Sequence, residues 1–199
     1  MFYDAVENRH GLKHDPFKAL VVPRPIGWVT TLAADGRVNL APYSYFNGFS
    51  SKPQIVGFSS EGRKDSAANV AATGEFVCNL ATWALREQMN KTSAAVGPEV
   101  DELALAGLTP APSRLVGPPR VAESPVALEC RHLQTVELTD LSGTPAGALL
   151  VIGQVVGIHI AEELIEDGVV DITRARPIAR LGYRDYAVDE KVFQMTRPG

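Results

Sequence analysis

The chain has little cysteine: two residues, Cys78 and Cys130, in 199. Both sit in apolar or mixed strand-like runs and make no disulfide framework. Free thiols fit the cytoplasm better than an oxidising compartment. No apolar run is long enough to cross a membrane. The opening residues, MFYDAVENRHGLKHD, are too polar and acidic for a secretory signal. Positive charge is also short, with 19 Lys and Arg against 23 Asp and Glu and a formal net charge of -4. Such a chain exerts no long-range pull on nucleic acid or anionic lipid, although a local basic patch can still hold one small phosphate.

The common chemical signatures are missing as well. No GxGxxG follows a strand-like run and no GxxxxGK[ST] occurs, which argues against a Rossmann unit or a P-loop. No GxSxG elbow appears. His10 and His14 have HxxxH spacing without an HExxH, and Cys130 and His132 share a strand face without further ligands. No metal site is expected, and no catalytic acid, base or nucleophile stands out.

What is present suits one globular domain over residues 1–199, with 45% hydrophobic and 21% charged residues. Phe17–Val22 reads as an opening strand. Pro23-Arg24-Pro25 then interrupts both helix and ladder, either as a rigid entrance to the next strand or as a kink holding Arg24 beside a ligand. Ile26–Leu32 and Val38–Phe46 read as strands joined by an Asp35-Gly36 hairpin turn. Pro42 inside the return strand argues for an edge, a bulge or a break in pairing. Gln54–Ser59 and Glu75–Leu80 follow as strands. Between them Asp65 is expected to cap a helix to about Ala72, with Gly74 at its end. Thr82 is expected to cap a second helix to about Met89. Lys91–Arg120 is mostly connection, with a helix over Val100–Ala106. Val126–Leu138 pairs with Leu149–Ile160, and Ile178–Gly182 is the last strand before a polar tail. About seven strands joined by short turns predict a largely antiparallel, mainly β fold, closed or partly closed as a barrel, with a few peripheral helices.

Two constellations carry chemistry. Ser59, Arg63, Lys64, Asp65 and Ser66 combine hydroxyls, cations and a helix start, a donor set that suits a phosphate. A solvated turn with an ordinary cap is the competing reading. Thr30, Thr31, Asn39, Ala41, Pro42, Tyr43, Ser44 and Asn47 offer small residues and rim donors for a flat heterocycle. Trp28, Tyr43, Tyr45 and Phe46 can wall it, or belong to the core or a subunit interface.

Taken in order, PRPIGWVTT (23–31), NLAPYSYFNGFSSKPQIVGFS (39–59), GRKDSAANV (62–70), TGEFVCNLAT (73–82) and ARLGYRDY (179–186) resemble the flavin reductase-like family. VDELALAGLTPAPS and PPRVAESPVALEC resemble its branch with a longer insertion. The resemblance implies an FMN-binding split β-barrel, with FMN favoured over FAD. It implies a homodimer and an NAD(P)H-dependent flavin reductase, with NADH or NADPH as cosubstrate and hydride passing from nicotinamide C4 to flavin N5. A flavin-dependent monooxygenase or another electron acceptor is the implied partner. Flavoproteins acting on other substrates, and flavin-binding electron carriers, share the fold and remain open. Carried over by motif, Ala41, Pro42, Tyr43 and Ser44 line the ring, supported by Thr30 and Asn47. Ser59, Lys64, Asp65 and Ser66 face the phosphate, with Arg63 a weaker match. Gly182 and Tyr183 approach the cofactor from the C-terminal element.

Overall fold

The computed structural model describes residues 1–97, 99–188 and 191–199. Pro98, within the expected connection, and Asp189 and Glu190, within the expected tail, lie outside the described residues.

Seven strands form one antiparallel sheet. They are β1 (Gly27–Leu32), β2 (Val38–Tyr43), β3 (Phe46–Ser51), β4 (Gln54–Glu61), β5 (Glu75–Leu80), β6 (Val126–Thr139) and β7 (Pro145–Ile160). Their spatial order is β2-β1-β5-β6-β7-β4-β3. The two edge strands, β2 and β3, are therefore consecutive in the chain, separated only by Ser44 and Tyr45. A two-residue step cannot span a flat seven-stranded sheet, because a residue reaches at most about 3.6 Å. The sheet must curl until its edges meet, which hides most of the exposed ladder. The amide of Ser59 on β4 donates to the Tyr45 carbonyl at 2.8 Å, extending the β3 ladder into this seam.

Two apolar clusters fill the fold. One gathers Val29, Phe58, Val70, Phe76, Cys130 and Val151 inside the barrel. The other lies between Trp28, Leu40 and the helices near Met89, Leu103 and Ala106. Trp28 is fully buried and donates its indole N–H to Thr92 Oγ1 at 2.9 Å, so it is core and not pocket wall. Pro42 sits on edge strand β2, opposite Trp28 of β1, where the strand is paired on one side only and a residue without an N–H is tolerated.

Four short helices surround the barrel: α1 (Phe17–Leu20), α2 (Asp65–Thr73), α3 (Arg86–Lys91) and α4 (Glu102–Ala106). Four expectations are corrected here. Phe17–Val22 starts as a helical turn, not a strand: the Asp15 carboxylate accepts the Phe17 amide at 2.8 Å, and Arg24 captures the Lys18 and Val21 carbonyls. Asp65 is the first residue of α2 and not its cap; Lys64 occupies the cap with extended φ/ψ and no side-chain bond. Thr82 bridges to Pro177 instead of capping, and α3 starts later, after Leu85. The return strand also ends at Tyr43, two residues before β3 opens. Gly74 closes α2 at φ 75°, as its position predicts. A strand over Tyr186–Val188, absent from the sequence reading, pairs with Ile178–Arg180, which in turn pairs with Arg24–Pro25.

Candidate functional site

The seam between β2 and β3 opens into clefts. The first, about 330 Å³, is bounded by Pro42–Tyr45, Ser59, Lys64, the α1 segment through Asp15 and Lys18, and the C-terminal element through Arg180 and Tyr183. The second, about 450 Å³, runs from Asn39 and Ala41 past Asp65 and Ser66 to Thr92–Val96 and Glu102. The two share Pro42, Tyr43 and Lys64. A third depression, about 310 Å³, lies beyond Ser44 and Tyr45 and reaches Asn47 and Phe49.

Local sequence explains why these walls meet. Arg24 is buried, and its guanidinium donates to the carbonyls of Lys18 and Val21 at 2.6 Å and of Leu181 at 2.8 Å. One side chain thereby pins the N-terminal segment to the C-terminal element. Its Nε has no acceptor and the guanidinium lies 5.5 Å from the Tyr45 ring centroid. Gly182 makes the contact possible: a Cβ there would fall 2.4 Å from Ala19 Cβ and 2.6 Å from its Cα. The turn it opens, with the Asp185 amide on the Gly182 carbonyl, presents Tyr183 half-exposed against His14.

The first cleft is net basic. Lys18, Arg24, Lys64 and Arg180 line it against Asp15 and Glu61. Lys18 pairs with Glu61 at 3.4 Å. The Phe17 amide and the Asn8 side chain hold the Asp15 carboxyl below its usual range. Arg180 donates to the Tyr183 carbonyl and to the Tyr186 hydroxyl. Lys64 has no hydrogen-bond or ion-pair partner among the described residues. Its ammonium is the uncommitted charge at the boundary of the two main clefts.

The second cleft has the opposite character. Glu102 is 7% exposed and accepts the Leu40 amide at 3.1 Å. Burial raises its carboxyl above the usual range against the pull of the Leu40 N–H, and the Asp65 and Asp101 charges add to the rise. Burial likewise raises the Tyr43 phenol, despite the facing Ser66 and Ser60 hydroxyls, so it stays protonated at neutral pH. Ser66 is buried, and its Oγ accepts from Asn39 Nδ2 at 2.8 Å.

The structure brings Ala41, Pro42, Tyr43, Ser44, Ser59, Lys64, Asp65, Ser66 and Tyr183 to the two main clefts, while Asn47 lines only the third. Gly182 lies behind the wall. Arg63 is exposed and lines none of the three. Thr30 and Thr31 are fully buried behind β2; their hydroxyls accept from Asn79 at 2.8 Å and Asn69 at 3.1 Å. Sequence reasoning missed Asp15, Lys18, Arg180, Glu102 and the Thr92–Val96 segment. Arg180 lay inside the ARLGYRDY motif and was the one with a readable signal.

A family model described as "Flavin reductase like domain" matches residues 19–180. A protein of Halalkalibacterium halodurans is 38% identical over 184 residues, covering 89% of this chain and 87% of its own. YwrF of Bacillus subtilis is 36% identical over 193 residues, covering 92% and 94%. Among solved structures, nitrilotriacetate monooxygenase component B from Bacillus cereus superposes with a TM-score of 0.89 at 32% identity over 98% of each chain. The 2-nitrobenzoate 2-nitroreductase NbaA of Pseudomonas fluorescens superposes at 0.87 with 26% identity, covering 100% of this chain and 96% of that one.

Proposed function

The chain belongs to the flavin reductase like family, and from that premise we propose that it is an FMN-dependent oxidoreductase that accepts hydride from NADH or NADPH. The observation that carries this reading is the pair of clefts meeting at Pro42, Tyr43 and Lys64, one basic and one neutral to acidic. A flat ring with a phosphate tail needs apolar faces, rim partners and one anion site. The seam offers all three.

The residues fit FMN. Lys64 and the Ser59 hydroxyl, with Asp65 and Ser66 opening α2, hold the phosphate end; Arg63 contributes only long-range charge. Ala41, Pro42, Tyr43 and Ser44 face the ring, with Asn47 at its rim. Gly182 and Tyr183 close the far side. Thr30 and Thr31 act from behind, fixing β1 against β5 and α2 through Asn79 and Asn69. FMN, when bound, supplies the two-electron chemistry. The chain's own task is to bind, orient and exclude water. Arg24 fixes the wall, and Tyr43 presents a neutral phenol.

Likeness to a monooxygenase component supports a further step, supply of reduced flavin to a partner oxygenase. Likeness to a nitroreductase, with the roomy second cleft, supports direct reduction of another acceptor as the second reading. A homodimer in the cytoplasm completes the proposal. The test is stopped-flow absorbance of the FMN-loaded protein mixed anaerobically with each nicotinamide. Rapid bleaching near the flavin maximum by one of them is expected. Loaded protein that neither nicotinamide bleaches, while dithionite does, refutes hydride transfer.

A further inference from the structure

A groove of about 370 Å³ lies on the other side of the Tyr183–Tyr186 turn, between α3 and the strand Tyr186–Val188. None of its lining residues belongs to the seam clefts. We propose that this groove is a second small-molecule site, built for a planar aromatic carboxylate.

The size is in the range of small-ligand pockets, which begin at about 300 Å³. The lining is mixed in the way such sites are. Met89 and Ile178 give an apolar floor, both nearly fully buried. Trp83 and Tyr186 stand at the rim, 41% and 39% exposed, although rings of this size gain more from burial than any other side chains. Arg86 and Arg176 lie over the Trp83 ring at 4.0 and 5.6 Å and Arg180 over the Tyr186 ring at 4.6 Å, so a flat guest packs against the exposed remainder of each ring.

Charge selects its sign. Among the described residues, Arg86 and Arg184 line the groove against one carboxylate, Glu87. Arg86 lies over the Trp83 ring, its Cζ 4.0 Å from the centroid, and donates Nη1 to the Trp83 carbonyl at 2.8 Å. Its contact with Glu87 is long, 3.5 Å. Arg184 has no hydrogen-bond or ion-pair partner among the described residues. A stacked guanidinium and an uncommitted one, beside an aromatic ring, match a carboxylate carried on a ring: the planar fork donates to both carboxylate oxygens and the guest ring packs on the indole. A cationic guest would meet two like charges. A purely apolar guest would leave Arg184 without a partner.

The groove also touches the seam. The Tyr186 hydroxyl accepts from Arg180, whose other amino group holds the Tyr183 carbonyl, and Arg180 and Tyr183 line the first cleft.

The experiment is calorimetric titration of the full chain, saturated with FMN, with 1-naphthoate and its neutral isostere 1-naphthamide. Single-site naphthoate binding is expected, at least tenfold tighter than naphthamide. Arg184→Ala and Trp83→Leu are each expected to weaken it at least tenfold, while Lys64→Ala leaves it unchanged. Trp28 is fully buried, so in the flavin-free chain a change in indole emission on binding reports Trp83. Absence of saturable naphthoate binding overturns the site. So does equal binding of the amide, or loss of binding in Lys64→Ala with none in Arg184→Ala and Trp83→Leu. The titration also runs without flavin, so its outcome is independent of the proposed cofactor.

Discussion

Lys64→Ala is the most direct probe of the seam. Its ammonium has no protein partner among the described residues, so its removal orphans no acceptor and breaks no ion pair. It caps α2 through backbone conformation alone, with no side-chain bond. The fold should therefore be insensitive, with stability within about 0.5 kcal/mol of the parent, as for ordinary surface substitutions. FMN binding should not be. A hydrogen bond to a charged group contributes about 1.5–3 kcal/mol. Lys64 is solvent-exposed, which places the loss toward the lower figure. The dissociation constant for FMN should rise about tenfold, since 1.4 kcal/mol is a factor of ten.

Riboflavin supplies the control, because it presents the same ring without the phosphate. Flavin fluorescence titration of parent and variant with both ligands gives the four constants needed. The reasoning predicts a tenfold change for FMN and little for riboflavin, with the FMN difference shrinking as salt is raised. Equal losses for both ligands would show that Lys64 acts on the ring or the fold. No loss for either would remove it from the site.

Four further outcomes follow from the same geometry. Ser44→Trp adds a bulky ring where the first cleft meets the third; flavin binding should vanish while the melting profile stays cooperative, and unaltered binding by a folded variant would move the ring elsewhere. Gly182→Ala drives a Cβ into Ala19; overpacking of about 1–3 kcal/mol should loosen residues 1–22, read as faster proteolysis there and weaker FMN binding. Glu129 is fully buried and accepts the Arg114 and Leu115 amides at 2.8 and 2.6 Å, with His159 at 2.5 Å. Burial pushes its carboxyl up, but those donors outweigh it and the net shift is downward. Its stabilisation is thus complete above the unfolded glutamate value of about 4.3 and is lost as pH falls through the lower folded value; in acid-unfolding curves Glu129→Gln should flatten that dependence. Finally, contact with Cys130 and burial raise the Cys78 thiol well above its usual value. Neither thiol should react with a thiol reagent at pH 8 until the protein is unfolded, and rapid labelling of the native chain would contradict the packing.

Much of this was legible because it rested on local rules. Asp35-Gly36 marked the hairpin, Gly74 the end of α2, and Pro42 the sheet edge, since each residue type has few tolerable backbone settings. Glu75–Leu80 was readable end to end because its short apolar run, buried on both faces, starts directly after that glycine. The misreadings share a cause. Phe17–Val22 has strand composition, but its conformation is set by Asp15 just before it, Arg24 just after it and Gly182 from afar. Thr82 has the composition of a cap, yet the strand-like bridge to Pro177 claims it. Long-range partners leave no mark on a local window.

The site itself divides along the same line. Pro42 to Ser44 and Lys64 could be found because they belong to one continuous stretch of polar edge strand and helix start. Thr30 and Thr31 shared the motif but point away from the clefts: residues next to each other on a strand face opposite sides, and here both sides of β1 are covered, one by Asn79 and one by Asn69 of α2. Lys18 lay outside every family-like phrase, and Arg180 and Glu102, though inside two of them, reach the seam only after the barrel closes. That closure is what makes the clefts. In an open sheet β2 and β3 would be opposite ends of the molecule, and Ser44 would be a surface residue facing water. Bringing the ends together encloses the Ser44-Tyr45 step between α1, α2 and the C-terminal turn, and the same two residues that close the barrel floor the cleft.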